Sequence, residues 1–169
     1  GSDISSDIIE IAKLKHQELK IPNTSFIVET DIKKINADFD LIGSIQLLNI
    51  IDFQKGLAHM EACFQKSHSG VFMMSLFTDT LLEFSVTVVD NYNDENVPYN
   101  IHSIPRVELL AKKYGFALAR NIWFEFPVDL AKPTKPGRGT YTRKLESGKR
   151  LQFTDVLHLP WRLLYFKKV

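Results

Sequence analysis

Apolar positions in this chain change period several times, and the changes mark its elements. Ile8, Ile11, Ala12, Lys15 and Leu19 keep helical spacing after Ser6 and Asp7, either of which can cap a helix. Glu10, three residues after Asp7, is a capping-box partner, and Pro22 ends the run. Ser25-Phe26-Ile27-Val28-Glu29 predicts a short strand closing at Thr30-Asp31. Phe39 to Ser44 predicts a second strand, apolar on both faces as buried parallel strands are. Asp52 caps a predicted helix from Phe53 to about Lys66, and Ser67-His68-Ser69-Gly70 reads as its terminator. Val71 to Leu76 predicts a third buried strand.

Residues 78–102 fit helix and strand equally, with Leu81, Leu82, Phe84, Val86, Val88 and Val89 apolar and 90–96 a polar loop. Ser103 caps a predicted helix with Pro105 in its first turn, and Gly115 stops it. Phe116 to Phe124 reads as a strand. Pro127 to Gly139, with three prolines and two glycines, reads as a linker. Thr140–Leu145 and Lys149–Thr154 flank Ser147-Gly148, a hairpin signal, and Trp161–Lys168 makes a final strand. Strands separated by long helical crossovers predict a parallel sheet flanked by helices.

A chain of 169 residues with 44% hydrophobic content predicts one domain with a real core. Its formal net charge of +1 gives no steering toward nucleic acid or membrane. Neither a membrane-length apolar run nor a signal peptide is visible, so a cytoplasmic location is expected. Charge is biased in one place: seven basic residues face a single acid, Glu146, between 132 and 150, a local balance of +6. That segment is either a solvated loop and hairpin or a surface for an acidic or phosphorylated partner. Cys63 is alone, which excludes disulfides and thiolate metal sites; beside Met60 and Phe64 it reads as a small core residue. The histidines at 16, 59, 68, 102 and 158 show no metal-ligand spacing, so no metal is expected. Gly137-Arg138-Gly139 precedes a strand-like stretch rather than a helix, so it is set aside as a phosphate loop.

The opening, Gly1-Ser2-Asp3-Ile4-Ser5-Ser6-Asp7, reads as a strand-to-helix junction of an open α/β sheet. An acid at such a strand end suits a ribose, because vicinal hydroxyls are two donors and a carboxylate is a bidentate acceptor. No Gly-x-Gly-x-x-Gly turn occurs in the chain, so it is expected to start just after the phosphate loop of a nucleotide-binding domain.

In this order and spacing the chain resembles the class I, Rossmann-like S-adenosylmethionine-dependent methyltransferases over nearly all of its length. The resemblance implies an α/β fold: a mostly parallel sheet with an antiparallel last strand and helices on both faces, lacking the N-terminal strand and glycine-rich loop. Residues 1–169 would be a single domain, the C-terminal majority of the family's, with a loop and β-hairpin insertion at about 127–158. By resemblance Asp3 bonds the cofactor ribose, Ile4 packs on adenine, Asp31 takes the adenine amino group and the Ile32 amide meets a ring nitrogen. Phe39-Asp40-Leu41-Ile42-Gly43-Ser44 matches the fourth-strand motif, and Ser44 and Gln46 line the floor beneath the methionine part. His102 lies in the region that covers the acceptor pocket, as a base or acceptor contact, with Tyr92, Tyr99 and Trp123 lining that pocket.

Each site residue also has a plainer role: Asp3 as a helix-start acid, Asp31 as a turn former, the aromatics as packing groups. Asn49 stands where some members carry a histidine or acid, so the resemblance supplies no general base there. The missing loop implies at least roughly 30 residues upstream, the length of a βαβ unit. S-adenosylmethionine is the implied cofactor and a small molecule the implied acceptor. Two alternatives remain open: a non-catalytic scaffold docking through 132–150, and a nicotinamide-dependent dehydrogenase, whose ribose also suits Asp3. Asp31 and the closing Pro160-Trp161 strand favour the methyltransferase. A sheet lacking one strand would also favour homo-oligomers.

Overall fold

The structure, a computed structural model, describes residues 1–3, 5–29, 31–136, 139–155 and 157–169. They form two compact units, Gly1–Ala37 and Asp38–Val169.

In the first unit, β1 (Ser2–Asp3) pairs in parallel with β2 (Ile27–Val28), Asp3 lying opposite Val28. Helix α1 (Ser6–Leu19) connects them, and a 3₁₀ turn follows at Ile32–Lys34. The cap of α1 is Ser5, not Ser6 or Asp7; its hydroxyl accepts from the Ile8 amide at 3.3 Å. Asp3 Oδ1 accepts from the Ser5 amide at 2.8 Å, which bends the chain one residue earlier than the polar cluster suggests. Lys20, in the left-handed region at φ 51°, ends the helix before Pro22 is reached.

The second unit contains β3 (Phe39–Ile45), α2 (Phe53–Lys66), β4 (Ser67–Thr78), β5 (Phe84–Asp90), β6 (Glu95–Ser103), α3 (Ile104–Lys113) and β7 (Phe116–Trp123). After it come β8 (Thr140–Lys144), β9 (Arg150–Thr154), β10 (Leu157–His158) and β11 (Trp161–Lys168). Strand β4 is the hub: β3 lies parallel on it, β6 continues parallel at Phe77–Thr78, and β11 runs antiparallel from Leu76 to Gly70. β7 pairs antiparallel with β11 and β5 antiparallel with β6, so β3, β4, β6 and β7 all run one way and β5 and β11 the other. This is the expected α/β sheet with an antiparallel last strand.

One expectation fails locally and another is narrowed. Ser67–Gly70 does not terminate α2 with a turn but opens β4 directly, because the ladder to β3 accommodates one extra residue of β4 between Ser67 and Gly70, opposite Phe39 and Leu41. Ser67 Oγ steadies this irregularity, donating to the Gly70 carbonyl at 2.7 Å and accepting from its amide at 3.2 Å. The polar loop expected at 90–96 is a turn at 91–94, its outer residues belonging to the flanking strands. That turn lies between β5 and β6, where β-branched Val86, Thr87, Val88 and Val89 favour the strand over the helix. The turn is held by Asp90 Oδ1, which accepts from the Tyr92 amide at 2.9 Å.

Caps at Asp52 and Ser103 hold as the sequence predicts, each side chain accepting an amide three residues on. Helices α2 and α3 pack against each other and against β4 and β7. Phe64 of α2 meets Phe116 at 5.4 Å and Phe166 at 5.2 Å between ring centroids, with Cys63 buried beside it as predicted. Burial pushes the Cys63 thiol up to about 12, so it stays protonated and inert. Strand alternation sends Leu76 and Trp161 to the opposite face, where they form a second cluster with Tyr99, Ile101 and Leu159.

Truncating Phe64 to Ala should therefore cost about 3–5 kcal/mol in urea unfolding, as expected for a buried aromatic. An unchanged midpoint would show that the helices do not depend on this contact.

Candidate functional site

The first unit places two acids at one edge. Because β1 and β2 are parallel, their carboxyl ends point the same way, with Asp3 at one end and Asp31 just past the other. Asp31 caps the 3₁₀ turn, its Oδ1 accepting from the Lys33 amide at 2.9 Å, and Ile32 is the first residue of that turn. Both carboxylates thus use one oxygen on a neighbouring amide, among the described residues. Ile4 lies outside the described residues.

In the second unit the carboxyl edge of β3 carries Ser44 and Gln46. Ser44 is buried, and its Oγ lies 3.1 Å from His59 Nε2 of α2. Gln46 follows the strand in the left-handed region at φ 56°, while its amide still donates to Met74 at 2.8 Å. That conformation is uncommon for a residue with a Cβ, and it turns the chain sharply off the sheet.

Residues 47–51 are clasped from β6. Asn100 is 3% exposed; its amide donates to the Asn49 carbonyl at 2.9 Å and its side chain to the Leu48 and Ile51 carbonyls at 3.3 and 2.5 Å. His102 joins the clasp, with Nε2 3.2 Å from the Leu48 carbonyl and its ring stacked on Phe53 at 4.8 Å. A carbonyl only accepts, so Nε2 carries the proton. His102 is fully buried, and burial pulls its pKa below the ordinary histidine value against the weaker upward pulls of Leu48 and Glu83. It lines none of the cavities described below.

A cavity of about 370 Å³ opens between this edge and the β8–β9 hairpin. Its polar lining is Gln46, Tyr99, Thr140, Gln152 and Thr154. Phe124, Phe126, Leu130, Leu159 and Trp161 complete it. Two of the residues singled out from the sequence, Gln46 and Tyr99, therefore meet here. Tyr92 does not: it is 70% exposed in the β5–β6 turn. Trp123 faces elsewhere, under the Lys149 ammonium at 4.3 Å and the Arg162 guanidinium at 3.8 Å. Two further cavities, about 380 and 540 Å³, lie beside Phe84 and between α2 and α3, and hold none of the predicted residues.

The basic segment is partly neutralised. Arg150 Nε donates to Asp129 Oδ1 at 2.6 Å, holding that carboxyl below its usual range, and Glu125 lies 3.8 Å away. Lys132 sits 6.0 Å from the Tyr141 ring centroid, and Arg138 lies outside the described residues. Among the described residues no helix is long and apolar enough to cross a membrane.

The chain matches solved structures along its whole length. The magnesium protoporphyrin IX methyltransferase of Synechocystis PCC 6803, with bound S-adenosylmethionine, superposes with a TM-score of 0.60 at 13% identity. That match covers 100% of this chain and 58% of the Synechocystis enzyme. A methyltransferase of Methanosarcina mazei gives 0.61 at 12% identity, covering 100% of this chain and 81% of that one. One from Clostridium acetobutylicum gives 0.56 at 14%, covering 99% and 73%. The fold is that of the class I methyltransferases. No family model and no curated protein matches the sequence.

Within the class I fold, sequence reasoning missed His59, Asn100, Gln152, Thr154 and the Phe124–Phe126 pair. Alternation puts Gln152 and Thr154 on one face of β9, a signal present in the sequence; which face meets the cavity depends on tertiary packing.

The His102 shift has a measurable sign. A histidine held neutral in the fold lets the unfolded chain bind its proton first, so stability is lost as pH falls below about 6.5. Urea unfolding from about pH 7 to about pH 5.5 should show that loss, and a smaller slope for His102→Gln. Equal slopes would show that His102 is not held neutral.

Proposed function

We propose that the protein binds S-adenosylmethionine and transfers its methyl group to a small-molecule acceptor. The reading is carried by the two acids behind adjacent parallel strand ends, in a fold shared with an enzyme crystallised with that cofactor. The donor set fits an adenosine: each carboxylate keeps one oxygen beyond its local backbone bond, enough for a ribose hydroxyl pair at Asp3 and an exocyclic amine at Asp31.

When bound, S-adenosylmethionine would supply an activated methyl group for an acceptor heteroatom, with S-adenosylhomocysteine as the other product. In this reading Asp3 orients the ribose, while Asp31 and the Ile32 amide read the adenine edge. Ser44, fixed by His59, and the strained Gln46 turn shape the floor after β3. The neutral cavity seats the acceptor. Its described lining holds no carboxylate, lysine, arginine or histidine, so the rate comes from positioning rather than from a dedicated base. His102 serves as a positioning residue that holds the loop after β3 through Leu48.

Calorimetric titration of S-adenosylhomocysteine into the full-length gene product tests this. Binding in the micromolar range, weakened about tenfold or more by Asp3→Ala, is expected for a lost charge-assisted bond. No binding to the folded protein would end the methyltransferase reading, and an unchanged affinity would remove Asp3 from the site.

A further inference from the structure

The cavity under the β8–β9 hairpin carries more information than its volume. Its described lining is entirely uncharged, so a charged ligand placed there would lose its hydration with no counter-ion in return. Its walls are aromatic: Phe124 and Phe126 meet edge to face at 5.5 Å, with Tyr99 and Trp161 also in the lining. Ring edges and faces of this kind accept another ring, aromatic or aliphatic, on its flat side.

Two polar atoms of its lining residues lack hydrogen-bond partners among the described residues. Trp161 is 7% exposed, yet its Nε1 has no hydrogen-bond partner among the described residues. Gln152 Oε1 is a buried atom in the same condition. Buried polar groups are rarely left unpaired, because each costs about 1–3 kcal/mol when unmet. One is a donor that cannot accept, and the other is an acceptor that cannot donate. A hydroxyl offers both functions, and neighbouring hydroxyls on one ring would answer both atoms together. Thr140 and Thr154, whose hydroxyls lie 3.5 Å apart across the hairpin, extend the same polar side.

We infer that this cavity binds a neutral ring compound bearing adjacent hydroxyls, the ring against Phe124 and Phe126 and the hydroxyls toward Trp161 Nε1 and Gln152 Oε1. As the acceptor subsite it rests on the transferase reading, but the binding itself needs no cofactor. Catechols and pyranosides share this chemistry.

The test uses intrinsic fluorescence. The chain has two tryptophans, so Trp123→Phe leaves Trp161, in the cavity wall, as the single reporter. Catechol and methyl β-glucopyranoside are titrated in separate arms without cofactor, alongside benzoate and glucuronate as charged ring controls. A saturable change in Trp161 emission with catechol or the glucoside, at least about tenfold tighter than its charged counterpart, is expected. The arm that saturates identifies the source of the ring. Gln152→Leu should weaken that binding about fivefold, in line with one lost neutral hydrogen bond. Phe124→Ala, on the other wall, should weaken it without touching the polar side. If neither neutral ring saturates, or the charged rings bind equally well, the inference falls. Cofactor binding with no ring binding would overturn this inference alone, whereas ring binding without cofactor binding would overturn only the transferase reading.

Discussion

Strand β4 must satisfy hydrogen bonds on both edges at once, and the larger unit is organised by that demand. One edge takes β3 and then β6, and the other takes β11, which in turn carries β7. Val71, Met73, Leu76 and Phe77 have no exposed surface, so no register shift of β4 is free of a large apolar cost. Because β3 stops at Ile45 while β4 continues to Thr78, β6 can join β4 past the end of β3. Asn100 and His102 are thereby brought onto residues 48–51, the chain segment that leaves the end of β3. The sheet's pairing, rather than any catalytic side chain, creates the concave edge.

The polar groups singled out in the two units differ in how they are held. Asp3 and Asp31 are half-buried, and each accepts a hydrogen bond from a backbone amide beside it. The cavity under the hairpin holds only neutral groups, two of them unmet among the described residues. The basic segment from 132 to 150 contributes differently: Arg150 answers Asp129 and Glu125, and Lys149 covers the Trp123 ring.

Much of the fold was legible because local signals agreed with tertiary demands. Asp52 and Ser103 are caps in the sequence and in the structure, and Gly115, at φ 73°, stops α3 where its freedom is needed. The signals failed where a distant strand decided the outcome. Ser67–Gly70 has the composition of a helix stop, but β3 recruits it into a ladder. Residues 84–90 lacked a decisive period until pairing with β6 chose the strand. Of the candidate site, Asp3, Asp31 and Gln46 fall at strand ends, places that sequence spacing can find. Tyr99 and Tyr92 were singled out by region alone; the first lines the cavity and the second is exposed in a turn. Gln152 and Thr154 could not be found, because nothing local says which strand face a hairpin turns toward a cavity.

Hydrogen–deuterium exchange of the full-length gene product, with and without S-adenosylhomocysteine, tests the central claim most directly. The account predicts slowed exchange in 1–5 and 31–34 of the first unit and in 44–51 of the second, with the α2–α3 surface unchanged. Protection confined to that surface, or to the 132–150 segment, would contradict it.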